Sequence, residues 1–313
     1  MKRRLTLLNF YGLSNGTTNL FVGQLSHTFL KDFSFQQYSR RKTFWTLLNL
    51  YRSKPLSGQE IELKFDQGTV HTKTDSTGAF WCTAAGGETP WILDRIVHAE
   101  KDVVLLENLY ERTTNYLGAD TVVVSDIDDT LLHSHIKNRL HQFRTLMFTA
   151  MEKRRKVIDM HDLINRLEEK GAVPFYLSNS EQNLYPLIFR FLTHNDFPEG
   201  PLFLKQWRTV RDFLIRNKVA TRDAHKLGTL ENLMRLFPDK KYILVGDNTQ
   251  RDLSIYLKTA EKFPDHVKHV VIRKVHEKPD DSELVGNARK RLDALNIQLH
   301  YAGTFTEALS IEV

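Results

Sequence analysis

Apolar and polar residues alternate with a period of two through Ile61-Glu-Leu-Lys-Phe65 and again through Val70-His-Thr-Lys-Thr74, with Asp66, Gln67 and Gly68 between the two runs. A period of two puts one face of each run toward a core, so this is the pattern of a β-hairpin. A second turn, Asp75-Ser-Thr-Gly78, leads into Ala79-Phe-Trp-Cys82. Met1–Phe10 reads as a first strand rather than a secretory leader, because Asn9 interrupts its short apolar stretch and no small-residue cleavage site follows. Between the early and later strands, Ser39–Tyr51 has the periodicity of one amphipathic helix. Residues 1–118 are therefore expected to form a small, β-rich, sandwich-like domain.

From about residue 119 the pattern changes to short β-branched runs that alternate with helical stretches, as in a parallel sheet covered on both faces. Strands are expected at Thr121–Ser125, Val173–Leu177, Tyr242–Val245, His269–Ile272 and Gln298–Tyr301, and helices near 159–170, 183–194, 224–236 and 250–261. Gly171 is placed to cap the first of these helices. The fold class expected for residues 119–313 is α/β with a doubly wound parallel sheet, interrupted by a small helical insert at about 133–156.

Composition bounds the function more loosely. A chain of 313 residues can bury a sizeable core, and no apolar run reaches the length of about 18 residues that a spanning helix needs. The single cysteine, Cys82, cannot form an internal disulfide, which fits a reducing compartment, with the cytoplasm as the default. A net charge of +6 favours an anionic partner: a phosphorylated substrate, an acidic membrane surface or nucleic acid.

The chemistry is concentrated at strand ends. Asp126-Ile-Asp-Asp-Thr130 follows a run of three valines, where ligands sit in open α/β sheets. Two carboxylates one residue apart can divide labour, with Asp126 attacking phosphorus and Asp128 serving as acid and then base. Thr130 is suited to hold the loop or a phosphoryl oxygen. A second strand runs into Gly246-Asp-Asn-Thr-Gln-Arg-Asp252. It supplies the oxygen ligands that Mg²⁺ prefers: Asp126, the Asp128 carbonyl and Asp247, with Asp252 either beside the ion or orienting a lysine. Phe175-Tyr-Leu-Ser-Asn-Ser180 ends a strand with groups suited to phosphoryl oxygens, Ser178 foremost and Asn179 beside it. Lys226 can place a compact positive charge on the attacking carboxylate.

These elements, in this order, make the chain resemble the haloacid dehalogenase phosphotransferase superfamily. With Asn183-Leu-Tyr185, Phe197-Pro-Glu-Gly-Pro-Leu202 and His225-Lys226 added, residues 119–275 resemble the actin-patch-protein family of phosphatidate phosphatases. The resemblance implies Mg²⁺-dependent hydrolysis of phosphatidate to diacylglycerol and phosphate through an aspartyl phosphate, and a preceding β-rich domain. Glu181-Gln182 stands where the family more often has Pro-Trp, and Lys205-Gln206-Trp207 where Arg-Asp-Trp is usual. Both departures bear on substrate specificity.

In the insert at 133–156, seven Lys or Arg residues accompany one acid, Glu152, and Ile136, Leu140, Phe143, Met147 and Met151 share one helical face. Such a helix either packs on the core or lies at an anionic membrane, and residues 137–156 are the candidate peripheral membrane contact. His133 and His135 lack neighbouring acids and read as polar surface, and no nucleic-acid module accompanies the basic residues. A soluble phosphate ester, a nucleic-acid phosphate end and a non-catalytic phosphatidate sensor are the alternatives to a lipid phosphatase. Retention of Asp128 argues against the sensor.

Overall fold

The computed structural model describes residues 3–29, 40–87, 89–106, 109–128, 130–131, 156–205, 220–249, 251–275, 281–305 and 311. The insert expected at 133–156 lies outside these residues apart from Lys156, as do Asp129, Gln206 and Trp207.

In the N-terminal part, Arg4–Ser14 and Thr18–Thr28 pair antiparallel as the centre of a six-stranded sheet, and Ala79–Ala85 pairs with the second of them. The expected hairpin forms from Glu60–Phe65 and Gly68–Lys73 and belongs to a separate four-stranded sheet. The alternation seen in the sequence puts Ile61, Leu63 and Phe65 inward. Phe21 of the first sheet meets Phe65 of the second with ring centroids 4.3 Å apart, and Trp91 closes on Phe65 at 5.3 Å. These aromatic contacts make the two sheets a sandwich. The expected helix spans Arg40–Arg52.

From residue 121 strands and helices alternate: β1 (Thr121–Ser125), α1 (Ile158–Glu169), β2 (Val173–Glu181), α2 (Tyr185–His194), β3 (Leu202–Lys205), α3 (Ala220–Leu236), β4 (Lys241–Asp247), α4 (Asp252–Lys262), β5 (Val267–Arg273), α5 (Asp281–Asp293) and β6 (Gln298–Ala302). The six strands form one parallel sheet in the order β3-β2-β1-β4-β5-β6. Because successive side chains point to opposite faces, neighbouring residues serve different cores. Val123, Tyr176, Ile243 and Val271 join α1, α2 and the N-terminal sandwich. Val122, Val124, Phe175, Tyr242, Leu244 and Val270 join α3, α4 and α5. Burial on both faces explains why these strands read as continuous apolar runs.

Apart from the insert, the strands and helices expected from residue 119 onward are present, with shifted ends. β2 continues four residues beyond Leu177, and α3 begins at Ala220 rather than near 224. Within the parallel-sheet part β3 and α5 were not foreseen, and in the N-terminal part neither were the strands Thr18–Thr28 and Leu93–His98. Gly171 caps α1 as expected: it sits at φ +98, Ala172 N–H bonds Leu167 O at 2.9 Å, and Gly171 N–H bonds Glu168 O at 2.8 Å. Among the described residues no helix is long and apolar enough to cross a membrane.

The segment Phe197–Pro201 lies flat on β2 and delivers the chain to β3. Tyr176 accepts no slack there: its hydroxyl donates to Pro198 O at 2.7 Å and its N–H to Pro201 O at 2.8 Å. A Cβ on Gly200 would stand 1.9 Å from Pro174 O, a backbone atom of β2. Gly200→Ala should therefore cost about 1–3 kcal/mol through overpacking. A thermal melt should show Tm lower by roughly 2–10 °C, and an unchanged Tm would mean that this segment can move off β2.

Candidate active site

The strand order reverses between β1 and β4: the chain leaves β1 toward β2 and leaves β4 toward β5. The connections at the carboxyl ends of these two strands diverge, and the crevice between them is where open α/β sheets place ligands. Asp126 follows the last residue of β1 and Asp247 is the last of β4. The ladder fixes them relative to one another, since Asp126 N–H bonds Val245 O at 2.8 Å.

Lys226 enters from α3 and is fully buried, as are Asp126, Asp247 and Asp252. Its ammonium lies 2.7 Å from Asp126 Oδ1 and 2.5 Å from Asp252 Oδ1. The other Asp252 oxygen, Oδ2, accepts the Asp247 N–H at 3.3 Å. Asp252 thus has both oxygens engaged in holding Lys226 and the end of β4, which favours the lysine-orienting role over that of a primary metal ligand. Gly246 makes room for it, because a Cβ there would meet Asp252 Oδ2 at 2.6 Å.

Thr130, grouped by sequence with the phosphate-binding side chains, directs its hydroxyl between two carboxylates, 3.2 Å from Asp126 Oδ2 and 2.8 Å from Asp247 Oδ2. Thr249, which sequence reasoning passed over, donates its N–H at 2.6 Å and its hydroxyl at 2.5 Å to Asp247 Oδ1. Asp128 is half-buried, nearer the mouth. Its Oδ2 accepts the hydroxyls of Ser178 at 2.8 Å and Ser180 at 3.0 Å, and Ser180 was the second residue missed. Ser178 is buried, Asn179 lies beside it half-buried, and Ser180 N–H bonds Ser178 Oγ at 2.9 Å. His225 is pushed down to about 4 by burial and by the charges of Lys205 and Lys226, so it is a neutral imidazole near pH 7, packed on the backbone of Phe203 and Ser178.

The charge balance of the pocket is one ammonium against three carboxylates. Burial alone would lower the Lys226 pKa, but Asp126 and Asp252 outweigh it and keep the lysine charged. Burial and the surrounding carboxylates raise Asp126 well above the usual range. Asp247 is pushed up to about 6 by burial and the Asp252 charge, with its threonine hydrogen bonds pulling the other way. A dry site with an excess of negative charge either takes up protons or takes up a cation. One oxygen from each of Asp126, Asp247 and Asp252 can be chosen so that all lie within 4.8 Å of one another. The donor set is purely carboxylate, hard oxygen suited to Mg²⁺, Ca²⁺ or Mn²⁺ rather than to soft metals. The residues fit a divalent cation.

A parallel α/β sheet with a buried lysine and paired aspartates at its central strand ends is the class of site defined by this geometry. Residues 121–274 match the family described as "Phosphatidate phosphatase APP1, catalytic domain". Over 154 residues the chain is 35% identical to phosphatidate phosphatase APP1 of Saccharomyces cerevisiae, covering 48% of this chain and 25% of the yeast protein. An uncharacterized protein of Schizosaccharomyces pombe is 26% identical over 154 residues, covering 49% of this chain and 25% of its own length. These likenesses support the phosphatidate phosphatase family for the matched segment, while the chain spans about a quarter of the length of the curated relatives it matches. Among solved structures, a carbohydrate acetylesterase from Xanthomonas citri is 10% identical with a TM-score of 0.33, covering 96% of this chain and 69% of that one. A score at that level identifies neither fold nor activity.

The shift at Asp247 has a measurable consequence. A carboxyl titrating near 3.9 when unfolded and at about 6 when folded contributes stability below the lower value that is lost as pH rises through the higher one. A divalent cation held by Asp247 would replace that proton. The gain in Tm on exchanging EDTA for Mg²⁺ should therefore grow from pH 4 to pH 7. A gain that does not vary over this window would place ion binding away from Asp247.

Proposed function

We propose that this chain is a divalent-cation-dependent phosphatase of the haloacid dehalogenase type, acting on phosphatidate to give diacylglycerol and phosphate. The observation that carries the reading is the convergence of Asp126, Asp128, Ser178 and Lys226 within the segment that matches the phosphatidate phosphatase family. In the proposed reaction a carboxylate oxygen of Asp126 forms a bond to phosphorus as the phosphorus–oxygen ester bond breaks. Asp128 gives its proton to the departing alkoxide. The carboxylate of Asp128 then takes a proton from water, whose oxygen bonds phosphorus and releases Asp126 and inorganic phosphate. Lys226 pairs with Asp126, opposes the rise in its pKa and keeps it in register for attack, with Asp252 fixing the lysine. Ser178 and Ser180 hold Asp128 at the mouth, where the leaving group departs. A divalent cation, held by Asp126 and Asp247 with the Asp128 carbonyl, would supply positive charge to the phosphoryl oxygens. The Mg²⁺ identity follows from family likeness and donor chemistry.

The lipid substrate rests on that likeness and on the net charge of +6, which suits an anionic surface. Of the basic run Lys153–Lys156, only Lys156 is among the described residues, and it donates to Asn195 O at the end of α2 at 3.1 Å. The reading therefore assigns membrane contact to the preceding insert residues.

Phosphate release should be measured with phosphatidate in mixed micelles beside a panel of soluble phosphate esters. Turnover of phosphatidate that EDTA abolishes and Mg²⁺ restores is expected. Asp126→Asn should abolish it and Asp128→Asn should lower it by on the order of 10²–10⁴. Turnover that survives Asp126→Asn would remove the covalent mechanism. Activity confined to soluble esters would remove the lipid substrate and leave the chemistry.

A further inference from the structure

We propose that Gln24, a residue of the N-terminal sandwich, is a positioning residue for the end of β2 that carries Ser178 and Ser180; the inference rests on the phosphatase reading of that segment. Gln24 lies in the middle of the Thr18–Thr28 strand and is fully buried, where an apolar side chain would serve a sandwich core at lower cost. Its amide nitrogen donates to Thr77 O at 3.0 Å and to Gln182 Oε1 at 2.8 Å. Gln182 is two residues beyond Ser180 and opens the short 3₁₀ turn Gln182–Leu184.

That turn is where the N-terminal part converges on the parallel sheet. The Arg40–Arg52 helix packs beside it. The Asp75–Gly78 turn reaches it through Thr77, whose Oγ1 lies 3.3 Å from Gln182 Oε1 while Asp75 Oδ1 holds it at 2.6 Å. Leu184 and Tyr185, just after it, are buried in the core shared with the sandwich.

This end of β2 needs such an anchor. β2 pairs with β1 only as far as Tyr176, and its pairing with β3 shifts register between Ser178 and Glu181. Across a register shift the ladder no longer fixes each residue. The hydroxyls of Ser178 and Ser180 must nonetheless stay on Asp128 Oδ2. With the β1 ladder fixing β2 as far as Tyr176, the Gln24–Gln182 bond fixes the end of the strand from downstream.

The test is steady-state hydrolysis of a phosphate monoester by the full chain and by Gln24→Met, which keeps the volume and removes the donor, with Ser180→Ala and the double variant alongside. Displacing a reacting group by about 1 Å can cost up to 10²-fold, so kcat should fall roughly tenfold with KM within about twofold. The double variant should be no worse than the poorer single one, because both substitutions act on the same held group. Gln182→Met breaks the bond from its less buried side and must reproduce the fall in kcat, also if Gln24→Met does not fold. A lower Tm with kcat unchanged in either glutamine variant, or losses that multiply in the double, would overturn the inference. An inactive parent would instead overturn the phosphatase reading beneath it.

Discussion

The site depends on one ammonium group placed among three buried carboxylates. Lys226 is paired with Asp126 and Asp252 at hydrogen-bond distance and has no exposed surface, so its charge acts at short range with little solvent screening. Each side chain in that cluster is costly to bury alone, by several kcal/mol per ion. The surrounding fold is arranged to share the cost: Gly246 lets Asp252 approach, Thr130 and Thr249 donate to Asp247, and the β1–β4 ladder sets the spacing of the two strand ends. Even so, the negative charge is in excess, and this excess connects the architecture to cation binding.

Legibility in the sequence followed the physics of each part. β1 and β4 were readable because strands buried on both faces must be nearly all apolar, and a sudden Asp after Val-Val-Val-Ser or Leu-Val-Gly is a sharp local signal. Asp126 and Lys226 lie a hundred residues apart in the chain, but each sits in a recognisable motif and the structure brings them to 2.7 Å. β3 escaped because Leu202–Lys205 is only four residues long and does not alternate, although Pro198-Glu-Gly-Pro201 punctuates the chain just before it. α5 escaped because only its Ala288 and Leu292 are fully buried, which leaves a mostly polar helix with little periodicity. Ser180, near the end of β2, and Thr249, in the turn after β4, act through single hydroxyls, a role without a sequence pattern. Gln24 was invisible for a further reason: its partner is 158 positions away.

The N-terminal part contributes to the cover of both faces of the parallel sheet. On one face its strands share the work with α1 and α2, and on the other Leu13, Leu20 and Leu117 join α3, α4 and α5. Trp81 of the sandwich approaches Phe203 of β3 with centroids 5.8 Å apart, so the edge strand is also sheltered by the neighbouring domain.

The shared core separates two kinds of boundary that often coincide. The family likeness begins at residue 121, yet α2 rests on the strand Arg4–Ser14, and Leu7, Leu8 and Phe10 belong to the same buried cluster as Leu187 and Phe191. The matched segment is thus completed, in this chain, by apolar surface from outside it. The packing that lets the sandwich hold the sheet also ties the two halves together: a change on the sandwich's inner face is felt across the shared core by the strands and helices of the matched segment, although no residue of the sandwich belongs to it.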